Sequence, residues 1–327
     1  MSILAPTPEN IARAADALRA GALVGMPTET VYGLAADALD ADAVRRVFAA
    51  KGRPADHPLI VHLPSAEHLP QWASSIPKEA VALARAFWPG PLTMILRRAE
   101  DVPDAVTGGQ DTVGVRVPGH PVALALLAVF DSGIAAPSAN RFGRISPTTA
   151  RHVVEELGEQ VSIVLDGGAC EVGIESTIVD LSRDTPVLMR PGAISSEAIA
   201  AVIGRQPLTR DEALGDTPRV SGALAAHYAP RTPLILVAPE RLAHEVCRAG
   251  RVAVLARTAA PQDVFHWRTA PSDPVDYAHD LYVALRELDA LGADLIVVEA
   301  PPGTIEWQAV ADRLGRAQTG SGEGDET

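Results

Sequence analysis

Residues 8–34, PENIARAADALRAGALVGMPTETVYGL, hold the reading that decides the fold class. Pro8–Ala20 carries apolar residues at helical spacing and stops at Gly21, a residue suited to ending helices. Ala22–Met26 then reads as a short buried strand, and a polar cluster, Pro27 to Leu34, follows at its carboxyl end. Helix, strand and polar loop in that order are the unit of an α/β protein, whose ligands gather at the carboxyl edge of the sheet. An ordinary capping role for Thr28 or Thr30 ahead of a helix is the competing reading.

Outward from this unit the pattern repeats. Helices are expected at Asp40–Ala50, Val122–Phe130, Thr148–Leu157 and Ser196–Ile203, and strands at Leu59–Leu63, Leu92–Leu96, Thr112–Val117, Ile134–Ala136, Ser162–Asp166, Thr177–Leu181 and Val187–Met189. Strand alternation puts Leu59, Val61 and Leu63 on one face and Ile60 and His62 on the other. It likewise separates Val113, Val115 and Val117 from Thr112, Gly114 and Arg116. An arginine sharing a face with glycine predicts room there for something other than a side chain.

Residues 205–233 have few apolar runs and many Pro, Gly and charged residues, so 205–230 is expected to be a linker or lid. Leu234–Val237, Val252–Leu255 and Leu295–Glu299 predict a smaller parallel α/β domain over 231–320, after a first domain of 1–204. Gly320 to Thr327 has the makeup of a solvated end, with 321–327 a disordered acidic tail.

Composition narrows the function. A net charge of −13 argues against a broad basic surface for nucleic acid. Cys170 and Cys247 share no metal-ligand spacing and read as inert thiols. No basic segment leads into an apolar core and no eighteen apolar residues run together, so a cytoplasmic chain with no membrane partner is expected. Neither GxSxG nor a P-loop occurs in the sequence.

Three further polar clusters remain. Lys51-Gly52-Arg53-Pro54 sets two cations two residues apart, suited to adjacent phosphate oxygens, or to a solvated helix end. Ala136-Pro137-Ser138-Ala139-Asn140 and Ser146-Pro147-Thr148 offer hydroxyl, amide and helix-start N–H groups, or simple turn and cap chemistry. Gly173-Ile174-Glu175-Ser176-Thr177 and Arg190-Pro191-Gly192 complete the set, with Glu175 read as a solvated acid. Cations, hydroxyls and an imidazole are equipment for binding anions and stabilising charge at phosphorus.

PTETVYGL, KGRP, HPLIVH, WPGPLT, DTVGVRVPGHP, APSAN with SPT, GIESTI and RPG follow one another in an order that resembles the threonylcarbamoyl-AMP synthase (YrdC-like) family. His227-Tyr228-Ala229-Pro230 is similar to the linker of its two-domain form. The resemblance implies a YrdC-like domain with a twisted mixed sheet and flanking helices, then a smaller Rossmann-like α/β domain. It implies that Thr30, His62, Arg116, Ser138 and Ser176 hold L-threonine. It further implies that Lys51, Arg53, Thr112, Asn140, Ser146, Arg190 and Tyr228 contact ATP, with Lys51 and Arg53 as the catalytic charges. His57 is counted with the ATP contacts as well, although it stands where a small amide is expected. Mg2+ would accompany ATP, bicarbonate or CO2 would be the third substrate, and a downstream threonylcarbamoyl transferase acting on tRNA would be the partner. Two rival functions are a double-stranded-RNA-binding YrdC-like module, which the acidity opposes, and an O-carbamoyl transferase, whose cysteine-rich and acylphosphatase segments are missing here.

Overall fold

The structure, a computed structural model, describes residues 2–213, 215–222, 224–248, 250–260 and 264–322. Two compact units divide the chain. The first comprises Met1–Arg141, Pro147–Glu171 and Glu175–Ala223, and the second Phe142–Ser146, Val172–Ile174 and Leu224–Thr327.

Local chemistry explains where the first helices begin and end. In Pro8–Arg19 the Thr7 side chain accepts from Asn10 N, and Ile11, Ala14, Ala15 and Leu18 form the buried face. Ala41–Lys51 is capped by Asp40 and ends at Gly52, whose φ of 62° is in the left-handed region. That stop fixes Lys51 as the last helical residue, pointing its stem into the protein.

Twelve strands form the sheet of the first unit: β1 (Ser2–Leu4), β2 (Val24–Met26), β3 (Gly33–Asp37), β4 (Ile60–His62), β5 (Ala73–Ser75), β6 (Leu92–Arg98), β7 (Thr112–Arg116), β8 (Ile134–Ala135), β9 (Ile163–Leu165), β10 (Thr177–Asp180), β11 (Val187–Arg190) and β12 (Leu208–Thr209). Their order is β1-β9-β2-β3-β8-β4-β7-β6-β10-β11-β12, with β5 beside β6. The sheet is mixed: β4 runs parallel to β7, while β2–β3, β3–β8 and β6–β7 are antiparallel. Leu59, Val61, Leu63, Val113, Val115 and Val117 share one core with Val47, Phe48 and Trp72, as the alternation predicts.

Four expectations give way. No helix follows Pro27–Tyr32; this segment turns the chain from β2 into antiparallel β3. The later helix starts at Ala150 with Thr149 as its cap, so neither Ser146 nor Thr148 opens it. A methyl on Gly114 would make ordinary contact with Ile95, Ile60 and Thr93 at 3.4–3.7 Å, so side chains line the space beside it. Residues 205–222 lie against the first unit: β12 pairs with β11, and Val220 is buried with Ile95, Ile178, Val187 and Met189. Polar contacts add to this docking: Arg219 N donates to Gln110 Oε1 at 2.7 Å, and its guanidinium donates to Gly108 O at 2.8 Å.

The second unit holds β13 (Leu234–Val237), β14 (Val252–Ala256), β15 (His266–Thr269) and β16 (Leu295–Glu299), all parallel, in the order β13-β16-β14-β15. Helices Pro274–Asp289 and Gln308–Gly320 belong to it. Buried Glu299 accepts from Arg257 N, Thr258 N and Thr258 Oγ1 and pairs with the Arg257 guanidinium at 2.7 Å, tying β16 to β14. Gly320 ends the last helix buried, and Ser321 Oγ accepts from Leu234 N, so the chain is ordered past the point where the tail was expected to start. Residues 323–327 of that tail lie outside the described residues.

Val220→Asp should free the 210–222 segment, because a carboxylate replaces a side chain only 7 % exposed. Native-state trypsin cleavage after Arg210 or Arg219 is expected to speed up by about tenfold or more, with the core helices still protected. Unchanged cleavage rates would mean that Val220 does not hold the segment.

Candidate active site around Arg116 and Lys51

Parallel pairing of β4 with β7 sets His62 opposite Arg116. Both are 3 % exposed, so the face set apart from the hydrophobic core is not a solvent face. Each part of the Arg116 fork has a neighbour: Nε donates to Gly90 O at 3.1 Å, Nη1 donates to Thr30 Oγ1 at 3.0 Å, and Nη2 lies 2.6 Å from Glu29 Oε1.

The turn of 27–32 explains how Thr30 comes to be there. Thr28 Oγ1 accepts from Thr30 N and Val31 N, both at 3.2 Å, and donates its one proton to Val31 O at 2.6 Å. The 2.8 Å contact between the two hydroxyls is therefore donated by Thr30. With that proton committed, Thr30 meets Arg116 as an acceptor. Backbone bonds from Leu34 N to Pro137 O and from Ala139 N to Tyr32 O then dock this turn against Ala136–Asn140.

Lys51 reaches the same loop, its Nζ donating to Ser138 O at 2.5 Å and to Asn140 O. Burial, and next the charge of Arg53, hold its pKa well below the ordinary lysine value. Arg53 donates to Pro58 O at 2.9 Å and Ser221 Oγ at 3.0 Å. Ser176 forms a second hydroxyl pair, 2.8 Å from Thr93 Oγ1, and Arg190 clamps it through Nε to Ser176 O and Nη2 to Ser176 Oγ. Arg190 Nη1 also donates to Ser221 O at 2.9 Å, so Arg53 and Arg190 meet the same serine.

Thr112 stands apart from these groups. Thr112 lies at the far end of β7 from Arg116, about 13 Å along the strand, and lines a 610 Å³ cleft with Arg97, Asp111 and Arg183. His57 is half-buried, its pKa lowered by burial and by Arg53. Ser146 and Tyr228 belong to the second unit. There Tyr228, 1 % exposed with φ at 61°, packs 5.7 Å from the Tyr282 ring and beneath the Arg313 guanidinium. Glu175, read as solvated, is buried. Cys170 is a buried free thiol, and the side chain of Cys247 lies outside the described residues.

Glu29 is the residue that sequence reasoning passed over. It is 6 % exposed and ionised: burial alone would raise its pKa, but the Arg116 guanidinium more than offsets this. The available signal was an acid between two threonines in a turn already marked as polar. Among the described residues no group of three or more His, Cys, Asp or Glu could hold a metal ion, and no helix is long and apolar enough to cross a membrane.

Burial, and then the neighbouring Arg116, push the pKa of His62 down from 6.5 to about 3. Between those limits the unfolded chain takes up a proton that folded His62 refuses, so this group lowers stability as pH falls through the window. Its contribution should approach 1.4 kcal/mol per pH unit, an order-of-magnitude figure. His62→Gln should flatten the stability–pH curve by about that slope between pH 6.5 and 5, read from denaturant melts. Parallel curves for the two proteins would show that His62 protonates normally.

Comparison with known proteins covers both units. The family profile described as "Telomere recombination" (Sua5/YciO/YrdC) matches residues 16–192, and the one described as "Threonylcarbamoyl-AMP synthase, C-terminal domain" matches residues 194–319. The chain is 42% identical over 315 residues to the threonylcarbamoyl-AMP synthase of Pyrococcus abyssi, covering 93% of this chain and 92% of that one. It is 41% identical to the Bacillus subtilis protein of the same name, covering 95% and 93%. The crystal structure of P. abyssi Sua5 complexed with L-threonine superposes with a TM-score of 0.91 at 39% identity over 98% of each chain. Full-length HypF, 21% identical with a TM-score of 0.50, shares the fold alone. With both domain profiles matched in order and near-complete coverage of these relatives, the chain belongs to the threonylcarbamoyl-AMP synthase family in its two-domain form.

Proposed function

We propose that this chain makes threonylcarbamoyl-AMP and pyrophosphate from L-threonine, bicarbonate or CO2, and ATP. Support comes chiefly from one arrangement, the buried Arg116 fork with Thr30 on one nitrogen and His62 beside it across the sheet. A guanidinium so placed can take an α-carboxylate in charge-assisted bonds. Thr30, neutral His62, Ser138 and Ser176 would meet the remaining polar atoms of threonine.

Lys51, Arg53, Asn140 and Arg190 would serve ATP, with Thr112 outside this set at the far end of β7. Lys51 has the instructive chemistry: burial disfavours its charge, so an arriving phosphate would draw a proton onto it. Magnesium would enter on the ATP phosphates and keep most of its waters, as this ion usually does. Threonine's amine adds to CO2 to give a carbamate. A carbamate oxygen then attacks the α-phosphorus, and pyrophosphate leaves. No protein nucleophile is needed, so alignment and charge neutralisation are the enzyme's work. The labile product would pass to a threonylcarbamoyl transferase acting on tRNA in the cytoplasm.

Pyrophosphate release should require threonine and bicarbonate together. Equal release in CO2-depleted buffer would replace this chemistry with ordinary aminoacyl adenylation, attack coming from the threonine carboxylate. Arg116→Ala should lower threonine affinity by about 10- to 100-fold, the worth of a charge-assisted contact, and change ATP affinity little. Calorimetry on the folded variant reads both numbers, and undiminished threonine binding would remove Arg116 from the site.

A further inference from the structure

Two buried charges meet in this site as an ion pair that leaves hydrogen-bonding capacity over. Glu29 Oε1 and Arg116 Nη2 touch at 2.6 Å, yet among the described residues neither Glu29 oxygen nor that nitrogen completes an aligned hydrogen bond. Nδ1 of His62 is likewise buried without a hydrogen-bond partner among them. Leaving buried polar atoms in this condition is costly unless a ligand completes them. The Glu29 carboxylate lies beside Gly119, where an added methyl would meet it at an ordinary 3.4 Å.

The missing partner can be read from what is left over. Arg116 and Glu29 already pair with one another, but both Glu29 oxygens and Arg116 Nη2 remain short of an aligned hydrogen bond, so the cation can take a further acceptor and the carboxylate a further donor. An α-amino acid zwitterion carries both, its carboxylate and ammonium held on one carbon. We propose that Glu29 receives the α-ammonium of the amino-acid substrate, so that Glu29 and Arg116 together recognise the zwitterion and reject hydroxy acids lacking the amine. This deepens the reading of Arg116 as the carboxylate site and rests on it. The charge count is consistent, since the pair is neutral before binding and the zwitterion adds no net charge. Glu29, paired with Arg116 at 2.6 Å, acts here in binding the ammonium.

The test compares L-threonine with (R)-3-hydroxybutyrate, threonine without its amine, by calorimetry on the full chain and on Glu29→Gln. The variant should lose about 10- to 100-fold in threonine affinity while its affinity for hydroxybutyrate is unchanged or improved. Equal losses for both ligands would mean that Glu29 acts only by holding Arg116, and no loss would mean that it does neither; each overturns the proposal. Should Glu29→Gln fail to fold, the wild type decides alone: threonine must bind at least about tenfold more tightly than hydroxybutyrate, and comparable affinities overturn the assignment. A wild type that binds neither ligand removes the threonine site itself, an outcome distinct from the others.

Discussion

A guanidinium only 3 % exposed can persist only where its charge is met, and that requirement at Arg116 organises the first unit. The turn of 27–32 delivers Glu29 and Thr30, the loop after the helix Lys78–Phe87 delivers Gly90 O, and β4 delivers His62. None of these segments is a sequence neighbour of β7. Thr28 pins the turn by spending its only proton on Val31 O, which orients Thr30 toward the arginine as an acceptor. A carbonyl, a hydroxyl and a carboxylate thus surround one cation, and only the carboxylate carries a full opposing charge.

The two sides of the site treat their cations differently. Arg116 faces an ionised acid, whereas Lys51 donates to the backbone carbonyls of Ser138 and Asn140, whose partial charges offset less of its burial. Burial, and then the charge of Arg53, lower the Lys51 pKa well below its ordinary value. A charge-balanced pair suits a small zwitterion. A cation whose charge burial disfavours suits a polyanion.

Much of this was legible in the sequence, and the failures share a cause. Alternation separated Arg116 and His62 from the valine and leucine face, because period two is a local property of the chain. β3 was passed over because Gly33-Leu34-Ala35-Ala36-Asp37 has no β-branched residue and no alternation; its strand conformation is set by β2 and β8 on either side. The docked state of 205–222 was hidden for a related reason, since Leu208 and Val220 gain meaning only once β11 and the Ile95–Ile178 cluster are in place. Ser138 and Asn140 were marked for their side chains, yet their backbone oxygens are what Lys51 uses. Glu29 was invisible as a partner of Arg116 because the two are joined only by tertiary structure.

The sheet pairings carry a consequence for how the molecule comes into being. β1 pairs with β9 through Ser2 and Ile163, β2 pairs with β9 through Val24 and Ile163, and β6 pairs with β10 through Leu92 and Thr177. A chain emerging from the ribosome cannot close these ladders until its later strands exist, and loop-closure entropy delays them further. Strands β1 and β2 therefore wait with open edges through most of the synthesis of the first unit, a state prone to wrong pairings. A nascent chain stalled before residue 163 could pair the run β2-β3-β8-β4-β7-β6 but would hold β1 without a partner and the outer edge of β2 bare.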